Sequence, residues 1–140
     1  MMDDHIKITE SPIDPDEIVS LLTHPEIGAV ATFVGVVRGE ENGERISHLE
    51  YEAYTEMAEE ALRGIITEVK HRWPEIRQVA IVHRIGKLAV GEIAVVIGVC
   101  AAHRSGVFSA LGYAIDRLKQ TVPIWKKEVG ERGARWKSEM

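Results

Sequence analysis

Three features of the chain predict an α+β fold. It holds two long apolar, β-branched runs, GAVATFVGVV (28–37) and IAVVIGVCAA (93–102), and two amphipathic patterns of helical period. Extended and helical segments also alternate in the order βαββαββαββ, which favours helices packed on a mixed or antiparallel sheet. The 140 residues, 45% of them hydrophobic, lie near the commonest size for one domain, so residues 1–140 are expected to form a single domain.

The elements follow from local signals. Residues 6–8 read as a short strand. In SPIDPDEIVSLLTHPE, Asp14 is placed to cap a helix, with Pro15 at its first position and Glu17 three residues past the cap, and the helix should end before Pro25. Residues 28–37 form a buried strand that runs into the charged turn RGEENGE, which leaves Arg38 at the mouth of a hairpin-like connection. RISHLEYEA (45–53) alternates Ile46, His48, Glu50 and Glu52 against Ser47, Leu49, Tyr51 and Ala53, a strand with one wetter face.

From 55 to 73, Met57, Ala61, Ile65, Val69 and Trp73 recur every four residues, with Leu62 and Ile66 widening the stripe; Pro74 stops this helix. Strands at 76–85 and 92–102 are joined by a turn at 86–91. Ser105 is placed to cap a last long helix whose stripe is Phe108, Leu111, Ile115, Leu118 and Val122. Pro123 ends it and leaves IWKKEV and GARWKS as short strands.

Composition excludes several classes. Residues 1–60 hold 3 Lys/Arg against 15 Asp/Glu, residues 61–112 hold 7 against 3, and residues 113–140 hold 7 against 4. Positive charge gathered in the second half of a chain of net charge −5 suggests a local anion site rather than a nucleic-acid surface. The start, MMDDHIKITE, is acidic and lacks the apolar core of a secretory signal, and the run 93–102 is far too short to cross a bilayer, so a cytoplasmic location is expected. The single cysteine, Cys100, lies within that apolar run; it permits no internal disulfide and reads as a buried thiol.

Two segments carry candidate chemistry. In LKQTVPIWKKE (118–128), helical spacing sets Lys119 one turn after Ile115, and period-two alternation sends Lys126 to the face of Ile124 and Lys127 to that of Trp125. Lysines gathered beside apolar surface repel each other and are partly desolvated, which makes them suited to proton transfer and anion binding. The same lysines also fit a bland pattern: Lys119 complementing its helix dipole, Lys126 and Lys127 as edge-strand charges. AHRSG (102–106) delivers His103 and Arg104 where a strand ends and a helix begins, a place suited to an anion, although a hydrogen-bonded structural histidine fits as well. Arg38 reads as a solvated loop charge or a further cation, and Phe33 and Trp125 as core or as stacking surfaces. The remaining histidines, His5, His24, His48, His71 and His83, lack metal-ligand spacing, and no P-loop, GxGxxG or GxSxG motif is present.

Together FVGVVRG (33–39), LEYEAY (49–54) with Met57 and Ala58, AHR (102–104), Tyr113 with IDRLK (115–119), and PIWKKE (123–128) resemble the large, catalytic subunit of molybdopterin synthase, over a stretch reaching from the first helix almost to the C-terminus. The resemblance implies an α/β hammerhead fold and a homodimer that binds one small ubiquitin-like sulfur-carrier subunit at each end, making a heterotetramer. It further implies that the carrier's C-terminal Gly-Gly, activated as a thiocarboxylate, enters a pocket of the large subunit. There two sulfur transfers convert cyclic pyranopterin monophosphate into molybdopterin during molybdenum cofactor biosynthesis.

By the same resemblance the pocket lysines fall on Lys119 and Lys126, and the substrate-binding residues on Arg38, His103, Arg104 and Lys126, with Phe33, Lys127 and Glu128 as wall or support. Lys119 would contact the carrier's terminal carbonyl, and Lys126 would bind substrate or move protons. A sulfurtransferase of this kind needs no metal, nucleotide or redox cofactor, no nucleic acid and no membrane. Two other readings fit part of the pattern: a binding module that keeps the carrier's groove without chemistry, and a phosphate sensor using AHRSG alone. Only four residues follow Trp136, which leaves little chain for a C-terminal tail over the pocket.

Overall fold

A computed structural model describes residues 3–138. The expectation about a C-terminal tail falls largely beyond them, on residues 139–140. The order is β1 (His5–Thr9), α1 (Pro15–Leu21), β2 (Ala29–Val36), β3 (Glu40–Glu41), β4 (Glu44–Ala53), α2 (Thr55–Arg72), β5 (Ile76–Arg84), β6 (Gly86–Ala89), β7 (Ile93–Ala101), α3 (Val107–Thr121), β8 (Ile124–Gly130) and β9 (Gly133–Ser138). The α+β class predicted from the sequence is what forms. The two strands beyond the predicted order, β3 and β6, lie in segments expected to be turns, and both pair with β4.

The first sheet has the order β1-β5-β7-β2, with β1 parallel to β5 and the other pairs antiparallel. Its central strands β5 and β7 are buried almost throughout, as expected of strands covered on both faces. One face packs against α2 and α3 in the main core; the other packs against α1 in a smaller cluster of Ile18, Leu22, Ala80, Val82, Val96 and Cys100. Gly98 on β7 permits that second contact, because a Cβ there would stand 2.5 Å from Leu22 Cδ1. Helix α1 begins as its sequence signals require, with the Asp14 carboxylate accepting from Asp16 N at 2.9 Å.

The second sheet runs β3-β4-β8-β9, with β6 also on β4. A shift in pairing between Ile46 and His48 changes the phase of β4, so Glu44 and Ile46 are buried before the shift and Leu49 and Tyr51 after it, with Ile46, Leu49 and Tyr51 turned to the same face. This corrects the strict alternation expected for 45–53, which placed Ile46 with the wetter residues.

Both long helices form, with their buried stripes rotated from the predicted ones. In α2 the buried positions include Ala58, Leu62, Ile65, Ile66 and Val69, while Met57 is 61% exposed. In α3 they include Val107, Ala110, Leu111, Ala114 and Leu118, while Phe108 is 73% exposed. The predicted Ser105 cap is replaced: Gly106, at φ 79°, precedes the helix, and no side chain caps it. The left-handed turn at Gly106 brings it against Trp73 and the Glu75 carboxylate, where a Cβ would be 2.5 Å from Glu75 Oε2.

The two helices are tied together by Glu68, which accepts from Tyr113 Oη at 3.0 Å and Arg117 Nε at 3.1 Å. The hydrogen bond from Arg117 is the main reason the Glu68 carboxyl is held below its usual range. No helix among the described residues is long and apolar enough to cross a membrane. Leu62, fully buried where α2 meets the sheet, tests the core: Leu62→Ala should cost about 2–5 kcal/mol in urea unfolding, with the m-value unchanged.

Candidate active site

A pocket of about 480 Å³ opens between the end of β2, the C-terminal turns of α3, and the inner face of β4 and β8. Its walls are apolar: Phe33, Val34 and Val36 from β2, Ile46, Leu49 and Tyr51 from β4, Ala94, Val95 and Ile97 from β7, and Ile115 and Leu118 from α3. Against them stand the cations Arg38, Lys119 and Lys126 and the carboxylates Glu41 and Glu128.

Each charged side chain arrives by a local rule. Lys119 follows Ile115 by one helical turn, and with Leu118 these residues bring α3 to the pocket. On β8, Ile124, Lys126 and Glu128 share one face. Ile124 and Glu128 are buried, and the Lys126 side chain is 17% exposed. Lys127 points the other way and lies 5.7 Å from the centre of the Trp136 ring, a cation–π contact on the outer face of the sheet. Among residues expected as pocket wall or support, Phe33 and Glu128 therefore line it and Lys127 does not.

Arg38 lies just after β2, its side chain 72% exposed, and forms an ion pair with Glu41 across the start of the β3–β4 hairpin. That hairpin turns at Asn42 and Gly43, both at positive φ, the Asn-Gly pairing suited to a tight reversal. Tyr51, at the back of the pocket, meets the buried His83 ring edge-on at 5.1 Å and so joins the two sheets. His83 Nδ1 donates to Arg84 O at 2.7 Å.

His103 and Arg104 are exposed between β7 and α3 and do not line this pocket. Within one chain the structure brings together Arg38, Lys119 and Lys126, and leaves the His-Arg pair at another place on the surface. The N-terminus of α3, expected to hold an anion beside them, already has the Glu75 carboxylate next to Gly106.

Three charged residues around the site escaped sequence reasoning. Glu44, read as part of a charged turn, is 1% exposed; it accepts from Arg132 N at 2.7 Å and pairs with Arg135 of β9. Arg135 and Lys137 also approach Glu128, at 3.6 and 3.1 Å. These contacts join residues far apart in the chain, and only the alternating pattern of GARWKS hinted at them. The hydrogen bond from Arg135, aided by the Arg132 amide and opposed by burial, holds the Glu44 carboxyl below its usual range.

Burial pushes the Cys100 thiol up, and it lies in the small core beneath α1 rather than in the pocket. Among the described residues, no group of three or more His, Cys, Asp or Glu side chains could hold a metal ion.

Residues 8–121 match the family described as MoaE protein. The molybdopterin synthase catalytic subunit of Bacillus subtilis (strain 168) is 47% identical over 133 residues, 95% of this chain and 84% of that protein. That of Homo sapiens is 41% identical over 134 residues, 96% of this chain and 71% of that protein. Among solved structures, molybdopterin synthase from Staphylococcus aureus is similar with a TM-score of 0.88 at 42% identity, over 93% of this chain and 94% of that one. A complex of subunits 1 and 2 of the molybdopterin-converting factor from Helicobacter pylori 26695 has a TM-score of 0.74 at 21% identity, over 96% of this chain and 90% of that chain, a likeness of fold alone.

The Glu44 contact sets an acid limit. A carboxylate whose folded pKa is depressed stabilises the fold above its unfolded pKa of about 4.3, and the contribution is lost as pH falls through the lower folded value. Glu44→Gln should therefore lower stability at pH 7 and flatten the loss of stability below about pH 4.3, read as urea midpoints from pH 7 down to pH 3.

Proposed function

This chain belongs to the MoaE family of molybdopterin synthase catalytic subunits, and from that premise we propose how its own pocket works. It acts as a sulfurtransferase of molybdenum cofactor biosynthesis, as one catalytic domain located in the cytoplasm. It converts cyclic pyranopterin monophosphate into molybdopterin with sulfur delivered by the thiocarboxylated C-terminus of a small ubiquitin-like carrier. The observation that carries the reading is the convergence of Arg38, Lys119 and Lys126 on one apolar-walled pocket of about 480 Å³.

The chemistry explains why such a pocket is needed. In each of the two transfers the sulfur of one carrier's thiocarboxylate bonds to a substrate carbon that gives up an oxygen. Water hydrolyses the carrier's C–S bond, so that the carrier ends as an ordinary carboxylate, and negative charge develops at both ends. Fixed cations in a poorly hydrated site stabilise that charge far better than they would in water. Lys119, on the rim formed by α3, suits the carrier's carbonyl oxygen. Lys126, deeper and held by the sheet, suits the substrate anion and the proton that accompanies the departing oxygen. Arg38 suits the phosphate, which must first displace Glu41.

His103 and Arg104 join this reading through the homodimer that the resemblance implies. Exposed and outside the pocket of their own chain, they serve it when a second copy brings them to the pocket of the first. A carrier subunit at each pocket completes the heterotetramer.

Single-turnover product formation with thiocarboxylated carrier tests the proposal. Lys119→Ala and Lys126→Ala should each lose about 10²-fold or more in rate, while Lys127→Ala, altered on the outer face, should remain within about twofold of the unmodified protein. Equal rates in all four proteins would remove the pocket lysines from the mechanism.

A further inference from the structure

Strands β8 and β9 pair with Lys126 directly opposite Lys137 and Glu128 directly opposite Arg135. Cross-strand partners share a face, so all four charges stand on the inner side of the sheet, although only Lys126 and Glu128 line the pocket. The Glu128 side chain is 3% exposed. Its Oε1 lies 3.1 Å from Lys137 Nζ and 3.6 Å from Arg135 Nε, while its Oε2 lies 3.9 Å from Lys126 Nζ. The Oε1 contacts are charge contacts without aligned hydrogen bonds.

Three cations thus surround one buried carboxylate, and the one inside the pocket is the farthest from it. Arg135 is additionally tied to Glu44, which leaves Lys137 as the closest partner of Glu128. Lys137 acts on Lys126 in two ways of the same sign. It draws the Glu128 charge toward β9, and it is a like charge directly opposite, which disfavours close approach of Lys126 to that side. The other charges around Lys126 are Lys119 from α3 and the mutually paired Arg38 and Glu41. Its remaining cross-strand neighbour, Tyr51, brings no formal charge.

We propose that Lys137 is a positioning residue of the sulfur-transfer site: by engaging Glu128 from β9, it keeps Lys126 loosely paired and available to an anionic group in the pocket. The consequence for turnover rests on the function proposed above. The ion-pair arrangement concerns this chain alone and is measured separately.

The experiment compares unmodified protein with Lys137→Met, which keeps an unbranched apolar stem and removes the charge, and with Lys137→Arg, which restores the charge. With ¹⁵N-labelled lysine, the Lys126 ammonium resonance should shift in Lys137→Met, and its proton exchange with water should slow as Glu128 captures it. It should keep its original position in Lys137→Arg. In turnover with carrier and pterin substrate, Lys137→Met should raise KM about tenfold with kcat within about twofold, and Lys137→Arg should restore KM. Lys137 lies on a partly exposed edge strand; Lys137→Met should still fold but melt at a lower temperature, because buried Glu128 loses its closest partner, and Lys137→Arg should melt with the unmodified protein.

A Lys126 resonance unmoved in Lys137→Met overturns the proposal, whatever the activity. A shifted resonance with unchanged KM overturns the positioning role. A fall in kcat that arginine does not rescue does so as well, by making Lys137 a direct contact or a structural residue. A shifted resonance together with no turnover by the unmodified protein defeats the sulfur-transfer reading while leaving the ion-pair arrangement standing.

Discussion

The site depends on the register of β8 between β4 and β9. Pairing Tyr51 with Lys126 and Glu50 with Lys127 commits Ile124, Lys126 and Glu128 to the inner face and Trp125 and Lys127 to the outer one. A slip of one residue would exchange the two sets: Lys127 would enter the pocket, Lys126 would meet solvent, and Glu128 would lose its buried place. Several features hold the register. Ile124 is buried beside Ala53, the pairing shift at Ser47 absorbs one extra residue on β4, and Ser47 Oγ donates to Val129 O at 3.0 Å. Which charges line the pocket is therefore set by backbone pairing before any side chain chooses a rotamer.

An acidic chain builds a basic pocket by keeping its carboxylates occupied. Glu41 faces Arg38, Glu44 is held by Arg135 and an amide, and Glu128 is encircled by three cations. Lys119 and Lys126 can then dominate the field in the pocket despite a net charge of −5. Buried charges of this kind are costly when a partner is removed, so the network also ties the conformation of the C-terminal hairpin to that of the pocket.

Much of this was legible in the sequence because it is local. The Asp14 cap, the stops at Pro74 and Pro123, the alternation of IWKKE and the approach of Lys119 beside Ile115 all depend on neighbours within one or two turns. What escaped depends on long-range pairing. Nothing near Glu44 in the chain announces that Arg135 will neutralise it, and nothing near Lys126 identifies Lys137 as its opposite number. The rotated stripes of α2 and α3 have the same origin: Met57 and Phe108 satisfy helical period but face away from the sheet, whose position no helix encodes by itself. Ser105 was displaced as a cap because Trp73 and Glu75 shape the turn at Gly106.

The topology of the first sheet also governs how the chain meets the ribosome. Strand β1 pairs with β5, and β2 pairs with β7, so neither early strand has a backbone partner until much later residues have been synthesised. The ~65 residues from the end of β2 to the end of β7 take about 3–13 s to translate. For that interval AVATFVGV is a nascent apolar edge in search of a strand, and α1 has no Gly98 to settle on. The same antiparallel partner that later walls the pocket through Val95 and Ile97 is thus the one that ends the chain's exposure to misassembly during synthesis.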